Sequence, residues 1–295
     1  MTTQAPPTGS SAEGPLPVPG VPTTIAPGVV RLTAPNPSMM TGPGTNTYLL
    51  GDRSLLIIDP GPDDPAHRRR LVEVIAGRTV DAIAVTHTHP DHAPGAARLG
   101  RVVDAPLLGF APGPSFRPDR LLVDGEVLAS SDLAVRVLHT PGHALDHCCF
   151  LLEGEGMVFT GDHVMEGSTV VIRPPDGDMG TYLASLERLA SLDPAPRSLA
   201  PGHGRVIEDP ATALAELVAH RRQRETLIAE ALESRGSSSA AGLRPLVYPG
   251  LDEARHDIAA ATIWAHLRHL VEQGRASLND GQLGTEAPDA IFATA

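Results

Sequence analysis

Between Thr86 and His92 the chain reads Thr-His-Thr-His-Pro-Asp-His, placing three imidazoles and a carboxylate within six positions directly after the apolar run Val80 to Val85. Four such groups at the end of a strand cannot all be buried cheaply without a shared partner, and a metal ion is the usual one. His87 and His89 sit two apart on an extended segment and share a side. Asp91 and His92 follow the Pro90 break, where the chain can turn and aim them differently. The segment therefore predicts a fold in which a strand end delivers ligands to a metal centre, and its geometry suits two adjacent ions better than one.

One loop cannot supply every donor such a centre needs, and the chain offers more at strand exits. Thr140-Pro141-Gly142-His143 follows the alternating segment Leu133 to Leu138, Thr160-Gly161-Asp162 follows Met157-Val158-Phe159, and Pro201-Gly202-His203-Gly204 follows Ser198-Leu199-Ala200. In each case a short strand runs into a turn containing Gly, which lets the backbone pass close to a site. Four strand ends, each presenting His or Asp, describe one edge of a sheet scaffold around a metal cluster.

The succession H-x-H-x-D-H, T-P-G-H, T-G-D and P-G-H-G, with Gly44-Thr45-Asn46-Thr47-Tyr48-Leu49-Leu50 and Ile57-Ile58-Asp59-Pro60-Gly61 before it, resembles the metallo-β-lactamase superfamily over roughly residues 28–210. The resemblance implies that His87, His89 and His143 hold a first metal, that Asp91, His92 and His203 hold a second, and that Asp162 bridges them. It also implies an αββα sandwich with the metals at one edge of the paired sheets. Two zinc ions are the expected cofactors, and iron or manganese would accept the same N/O donors.

Strand-like runs at Val29–Thr33, Thr45–Leu50, Leu55–Asp59, Val80–Thr86, Leu107–Phe110, Leu133–His139, His147–Leu152, Met157–Thr160 and Ser198–Ala200 alternate with helical patterns at Pro65–Ala76 and Asp178–Leu192. This mixture predicts a layered α/β (α+β) fold. Residues 1–26, rich in Pro, Thr, Ser and Gly, read as a disordered tail whose removal leaves the fold intact. Residues 27–210 form the expected catalytic domain and 211–235 a connecting helix. A small domain of helices and a short β-wing is expected over 236–285, with a tail over 286–295. In that small domain Asp252–Glu272 is an amphipathic helix with Ile258, Ile263, Leu267, Leu270 and Val271 as its buried stripe. Helix, turn, helix and wing, with Ala265-His266-Leu267-Arg268-His269-Leu270 and Glu272-Gln273-Gly274-Arg275, resemble the winged helix at the C-terminus of the β-lactamase-like protein 2 branch of the superfamily.

Composition narrows the partners. Net charge is −12 and the basic residues are all arginine, and the 236–285 segment has no positive excess, which argues against a duplex-DNA reader. No apolar run is long enough for a membrane span, and the N-terminus has neither a basic start nor an apolar signal core, so a cytoplasmic protein is expected. Cys148 and Cys149 read as small core residues rather than a disulfide pair. The segment 167–178 leaves Asp162 and should border the cleft, making Arg173 a candidate clamp for an anionic substrate or else a structural ion-pair partner. Asn46 is a second candidate substrate contact. His147 and His163 are either orienters of the ligands or ordinary hydrogen-bonded residues.

The expected activity is hydrolysis by a metal-bound hydroxide, with Asp91 orienting the nucleophile or moving its proton. A small ester or thioester is the favoured substrate. Single-stranded RNA cleavage, an activity of the β-lactamase-like protein 2 branch, is the alternative, followed by a mononuclear iron dioxygenase acting on persulfides. Oligomeric state is not legible.

Overall fold

The computed structural model of the protein describes residues 15–130, 133–278 and 289–295. The first sheet is built from β1 (Thr23–Ala26), β2 (Val29–Thr33), β3 (Asn46–Leu50), β4 (Ser54–Ile58), β5 (Thr79–Ala84), β6 (Leu107–Gly109) and β7 (Arg120–Leu121), side by side in chain order. It is antiparallel up to β4 and parallel from β4 to β7. Two helices cover its outer face, α1 (Pro65–Ile75) between β4 and β5 and α2 (Ala96–Val103) between β5 and β6. The second sheet orders β12 (Ser198–Pro201), β11 (Met157–Gly161), β10 (Cys148–Leu152), β9 (Leu133–His139) and β8 (Val127–Ser130), with α3 (Met179–Ala190) on its outer face.

Strand alternation explains the layering. Along β4, Leu56 and Ile58 enter the core between the sheets with Val135, Val137, Phe150 and Phe159. The neighbouring Leu55 and Ile57 point the other way, onto Leu71 and Ile75 of α1 and Leu99 of α2. Because both faces of β4 are covered, it reads as continuous apolar sequence rather than alternation. Helix starts are set locally: Asp64 caps α1 by accepting from the His67 amide, and Asp178 caps α3 by accepting from that of Thr181. Such caps contribute about 1 kcal/mol each. The result is the expected αββα sandwich. Cys148 and Cys149 are buried, unpaired thiols in it, as core residues should be.

The chain continues into α4 (Pro210–Arg235), β13 (Ser237–Ser238), α5 (Ala240–Val247), α6 (His256–Glu272), β14 (Ala276–Leu278) and β15 (Phe292–Thr294). The three strands form a small sheet in the order β13-β15-β14 beside the three helices, so the winged-helix expectation holds.

Several expectations need correction. Of the proposed N-terminal tail, residues 1–14 lie outside the described residues, but Thr23–Ala26 is strand β1, paired antiparallel with β2. Gly20 N also donates to Thr33 O, and Arg70 Nε to Gly20 O. Four residues with β-branched Thr and Ile beside an existing strand suffice to extend a sheet, whatever the composition around them. Residues 279–288 lie outside the described residues, yet the expected C-terminal tail supplies β15, whose Phe292 is fully buried. The stripe on α6 is wider than expected. Ala261–Leu267 is buried at every position while Ile258 and Val271 are only half-buried, because α6 lies between the small domain and α3 and α4. Helix α2 and strands β7 and β8 were not anticipated, being short. No helix among the described residues is long and apolar enough to cross a membrane.

Candidate metal centre

All seven ligands expected from the motifs converge at one edge of the sandwich. They form two groups, His87, His89 and His143 in one and Asp91, His92, Asp162 and His203 in the other. His87 Nε2 lies 2.9 Å and His143 Nε2 3.0 Å from His89 Nδ1. In the second group His203 Nε2 is 3.2 Å from both Asp91 Oδ2 and Asp162 Oδ1, and His92 Nε2 is 3.3 Å from Asp162 Oδ1. The other oxygen of Asp162 lies 3.8 Å from His143 Nε2, so this carboxylate spans the two groups.

The outer nitrogen of each ring determines what the inner one can do. His143 Nδ1 donates to Val171 O (2.9 Å) and His203 Nδ1 to Gly44 O (3.3 Å), acceptors that have no proton to give. His92 Nδ1 donates to Asp59 Oδ2 (2.8 Å) and His89 Nε2 to Asp176 Oδ2 (3.2 Å). The Thr86 hydroxyl gives its own proton to Asp59 Oδ2 (2.8 Å), so it accepts from His87 Nδ1 (3.0 Å). Every inward nitrogen is thereby left to hold a proton or a metal.

In the first group burial decides. It pushes His87 well below the usual imidazole range and His143 down to about 4. Neutral His87 and His143, with their N–H groups turned outward, both aim a lone pair at His89 Nδ1 from hydrogen-bond distance, a convergence that a cation among them would satisfy. In the second group burial opposes the charged imidazoles, but the carboxylates prevail. Asp162, Asp59 and Asp91 hold His92 well above its ordinary value, and Asp162 with Asp91 raises His203 to about 9. Burial likewise disfavours the Asp162 anion, and His92 and His203 outweigh it, holding that carboxyl well below the usual range. Protons there occupy the places that a metal would take, and metal binding would release them. Buried His92 Nε2 and Asp162 Oδ1 have no hydrogen-bond partner of good geometry. The donor set fits metal ions.

The backbone is shaped for this crowding. A Cβ on Gly202 would stand 2.6 Å from His92 Cε1 and 2.8 Å from Asp162 Oδ1, so only glycine fits there. Asp59 sits at the end of β4 with φ 52°, a left-handed conformation uncommon outside glycine. From there its oxygens receive the Thr86 amide (2.7 Å), the Thr86 hydroxyl and His92. Asp59, Thr86 and Asp176 were not singled out as site residues from sequence. The available signal was an Asp-Pro-Gly exit from a doubly buried strand, parallel to the strand that carries His87.

The remaining candidates divide. The Asn46 amide donates to Pro201 O and Gly204 O (3.0 Å each) and accepts from Thr33 Oγ1 (2.8 Å). It clamps the turn that carries His203, and its full burial leaves it unable to face a ligand. Arg173 is exposed and forms no ion pair among the described residues. It sits between Val171 and Asp176, which contact His143 and His89. His147 Nδ1 bonds Thr140 Oγ1 (3.0 Å) and both His163 nitrogens are unpartnered. These two rings pack behind the ligands without a hydrogen bond to any of them. The centre opens on the side of His89 and Asp91, whose side chains are 34% and 27% exposed while His92 is closed off.

Comparison with known proteins agrees with this geometry. The profile of the metallo-beta-lactamase superfamily matches residues 40–203, and that of the beta-lactamase associated winged helix domain matches residues 239–283. The chain is 32% identical over 272 residues to the Beta-lactamase-like protein 2 homolog of Drosophila melanogaster, covering 86% of this chain and 91% of that protein. It is 38% identical over 226 residues to the Atrochrysone carboxyl ACP thioesterase of Aspergillus chevalieri, covering 74% and 70% respectively. A solved β-lactamase domain protein from Burkholderia ambifaria superposes with a TM-score of 0.79 at 25% identity over 96% of each chain. A metallo-β-lactamase family protein from Thermus thermophilus superposes with 0.75 at 25% identity, over 92% of this chain and all of that one. With seven His and Asp side chains that could hold metal gathered from successive strand ends, its αββα layers and its winged helix, the chain belongs to the metallo-β-lactamase superfamily.

Proposed function

We propose that the protein is a dinuclear metal-dependent hydrolase of a small ester or thioester. The observation that carries this reading is the set of five imidazoles, each anchored by its outer nitrogen, whose inner nitrogens face one another and two carboxylates at an open cleft. Zinc ions suit these donors, and when bound they would supply an acidified water and a Lewis-acidic partner for the substrate carbonyl oxygen. Asp162 reaches both groups and would hold them together. Asp91, whose Oδ2 stands 3.2 Å from His203 Nε2 on the open side, would orient the nucleophile or move its proton toward the leaving group. Arg173, exposed and without an ion pair among the described residues, lies in the chain between Val171 and Asp176 and would hold an anionic part of the substrate. Support for an acyl substrate comes from the Aspergillus chevalieri relative, named as a thioesterase acting on an acyl carrier protein conjugate.

The test is metal analysis of the purified chain followed by turnover of acyl thioesters and labelled single-stranded RNA under matched zinc. Two zinc ions and thioester turnover are expected. Arg173→Ala should raise KM for anionic thioesters about tenfold, the worth of one hydrogen bond to a charged group, and leave neutral ones unchanged. Metal-dependent RNA cutting that disappears in Asp91→Ala, without thioester turnover, would replace this reading with a nuclease. One iron with no hydrolysis would replace it with oxygen chemistry on persulfides.

A further inference from the structure

Arg221 on α4 is 2% exposed, and it forms no ion pair among the described residues. A buried guanidinium without a carboxylate is costly and persists only where other contacts hold it. Two do. Its Nη2 donates to Val170 O at 2.5 Å, and its central carbon stands 5.1 Å over the centre of the Tyr182 ring, a cation–π arrangement strengthened by the dry surroundings. Each contact leads to a different part of the metal centre. Val170 precedes Val171, whose carbonyl fixes the ring of His143. The Tyr182 hydroxyl donates to His163 O (2.9 Å), the carbonyl directly after Asp162. Tyr182 also lies so closely against the His143 turn that a Cβ on Gly142 would collide with its backbone.

One helical turn further along α4, Glu225 faces the small domain. It takes Arg275 at 2.7 Å and lies 3.7 Å from His269 of α6. Residues 221 and 225, four apart, share one face of α4. The same face therefore touches the winged helix at one end and the supports of two metal ligands at the other.

We propose that Arg221 is a positioning residue of the metal centre, contributed by the helix that leads into the winged-helix domain, which aims His143 through Val170–Val171 and Asp162 through Tyr182. The proposal rests on the metal-centre reading above. It gives the C-terminal segment a role in catalysis without any contact to substrate.

The test uses the full chain with cobalt(II) as the metal probe, reading affinity by chelator competition, ligand geometry by the visible absorption bands, and fold by circular dichroism and melting. Arg221→Met should remain folded, lose about 10- to 100-fold in cobalt affinity, as supports of metal ligands do, and show altered bands. Arg221→Lys, which keeps the charge and a donor, should recover part of both. Arg224→Met is the control. Arg224 makes equivalent contacts from the same helix, over the Tyr248 ring at 4.3 Å and to Val247 O at 3.1 Å, but toward the small domain. It should melt earlier and bind cobalt like the unaltered chain. Wild-type affinity and bands in Arg221→Met, or equal losses in both variants, would overturn the positioning role. If Arg221→Met does not fold, Tyr182→Phe decides: a folded chain with unchanged bands and affinity overturns the proposal, and altered bands support it. An unaltered chain that binds no cobalt would instead remove the metal-centre reading, and this proposal with it.

Discussion

Asp162 touches both ligand groups with opposite oxygens, so its replacement should harm the centre more than that of any single histidine. Asp162→Ala is expected to lose hydrolysis and bound metal together, and elemental analysis showing two metals retained would place the bridge elsewhere. Protonation gives a second test. His143, near 4, is neutral at pH 7, whereas His203, near 9, is protonated there and must release its proton to bind a metal. Uptake at the first group should therefore be nearly independent of pH above neutrality. Uptake at the second should strengthen as pH rises toward about 9, with protons released on binding. The same raised His203 value stabilises the metal-free fold fully below about 6.5, the unfolded value, and that contribution disappears as pH passes about 9. Isothermal titration in buffers of different ionisation heat measures the released protons, and equal pH dependence at both groups would contradict the assignment. Each of the seven candidate ligands was legible because it stands in a short motif at a strand exit. Asp59 and Asp176 escaped because their partners lie 33 and 87 positions away, and only folding creates the pairing. Asp59→Asn should lower metal affinity about 10- to 100-fold while the chain stays folded, since it removes the charge behind His92. Metal titration against the unaltered chain checks it.

At the scale of elements, the apolar strands and the helices α1 and α3 beside them were legible because β3, β4 and β11 are buried on both faces, β9 alternates, and both helix starts carry an Asp cap. What escaped is short or is decided by tertiary pairing. Strand β1 lies in a segment whose Pro and Thr content reads as tail, and β15 follows a polar stretch. Neither has a pattern of its own: β1 is an edge strand, which needs only a partner with free hydrogen-bonding groups, and β15 is three residues held between β13 and β14 by pairing on both sides. Removal of residues 1–26 is therefore no longer expected to be silent. It deletes the β1 ladder and the Gly20 contacts, exposes the outer edge of β2, and should lower the melting midpoint by several degrees. A midpoint equal to that of the full chain would show that β1 contributes nothing. Turn glycines behave differently. Gly202→Ala forces a methyl between His92 and Asp162, so metal retention should fall further than melting temperature. Elemental analysis beside a thermal melt separates the two effects.

For the whole molecule, the sequence suggested a catalytic body and a small appended domain, but the cores do not divide so cleanly. Leu214 and Leu217 of α4 and Ala265 of α6 belong to the same apolar cluster as Tyr182, Leu186 and Leu189 of α3. Helix α4 then continues into the cluster that contains Trp264, Leu267 and Phe292. Helix α6 is enclosed on all sides over Ala261–Leu267, so it cannot lie in a DNA groove as the third helix of a DNA-reading winged helix does. A leucine buried across such a junction is worth about 1.5–3 kcal/mol, so separating the parts would expose several at once and cost more than a small domain can recover alone. The catalytic body and winged helix should therefore unfold in one cooperative transition. Calorimetry of the metal-free chain is expected to show a single peak with equal calorimetric and van't Hoff enthalpies. Added metal should move that peak upward as a whole, because binding to the folded state stabilises everything that unfolds with the site. Two resolved peaks, with only one responding to metal, would show that the winged helix is an independent appendage and that α4 transmits nothing between them.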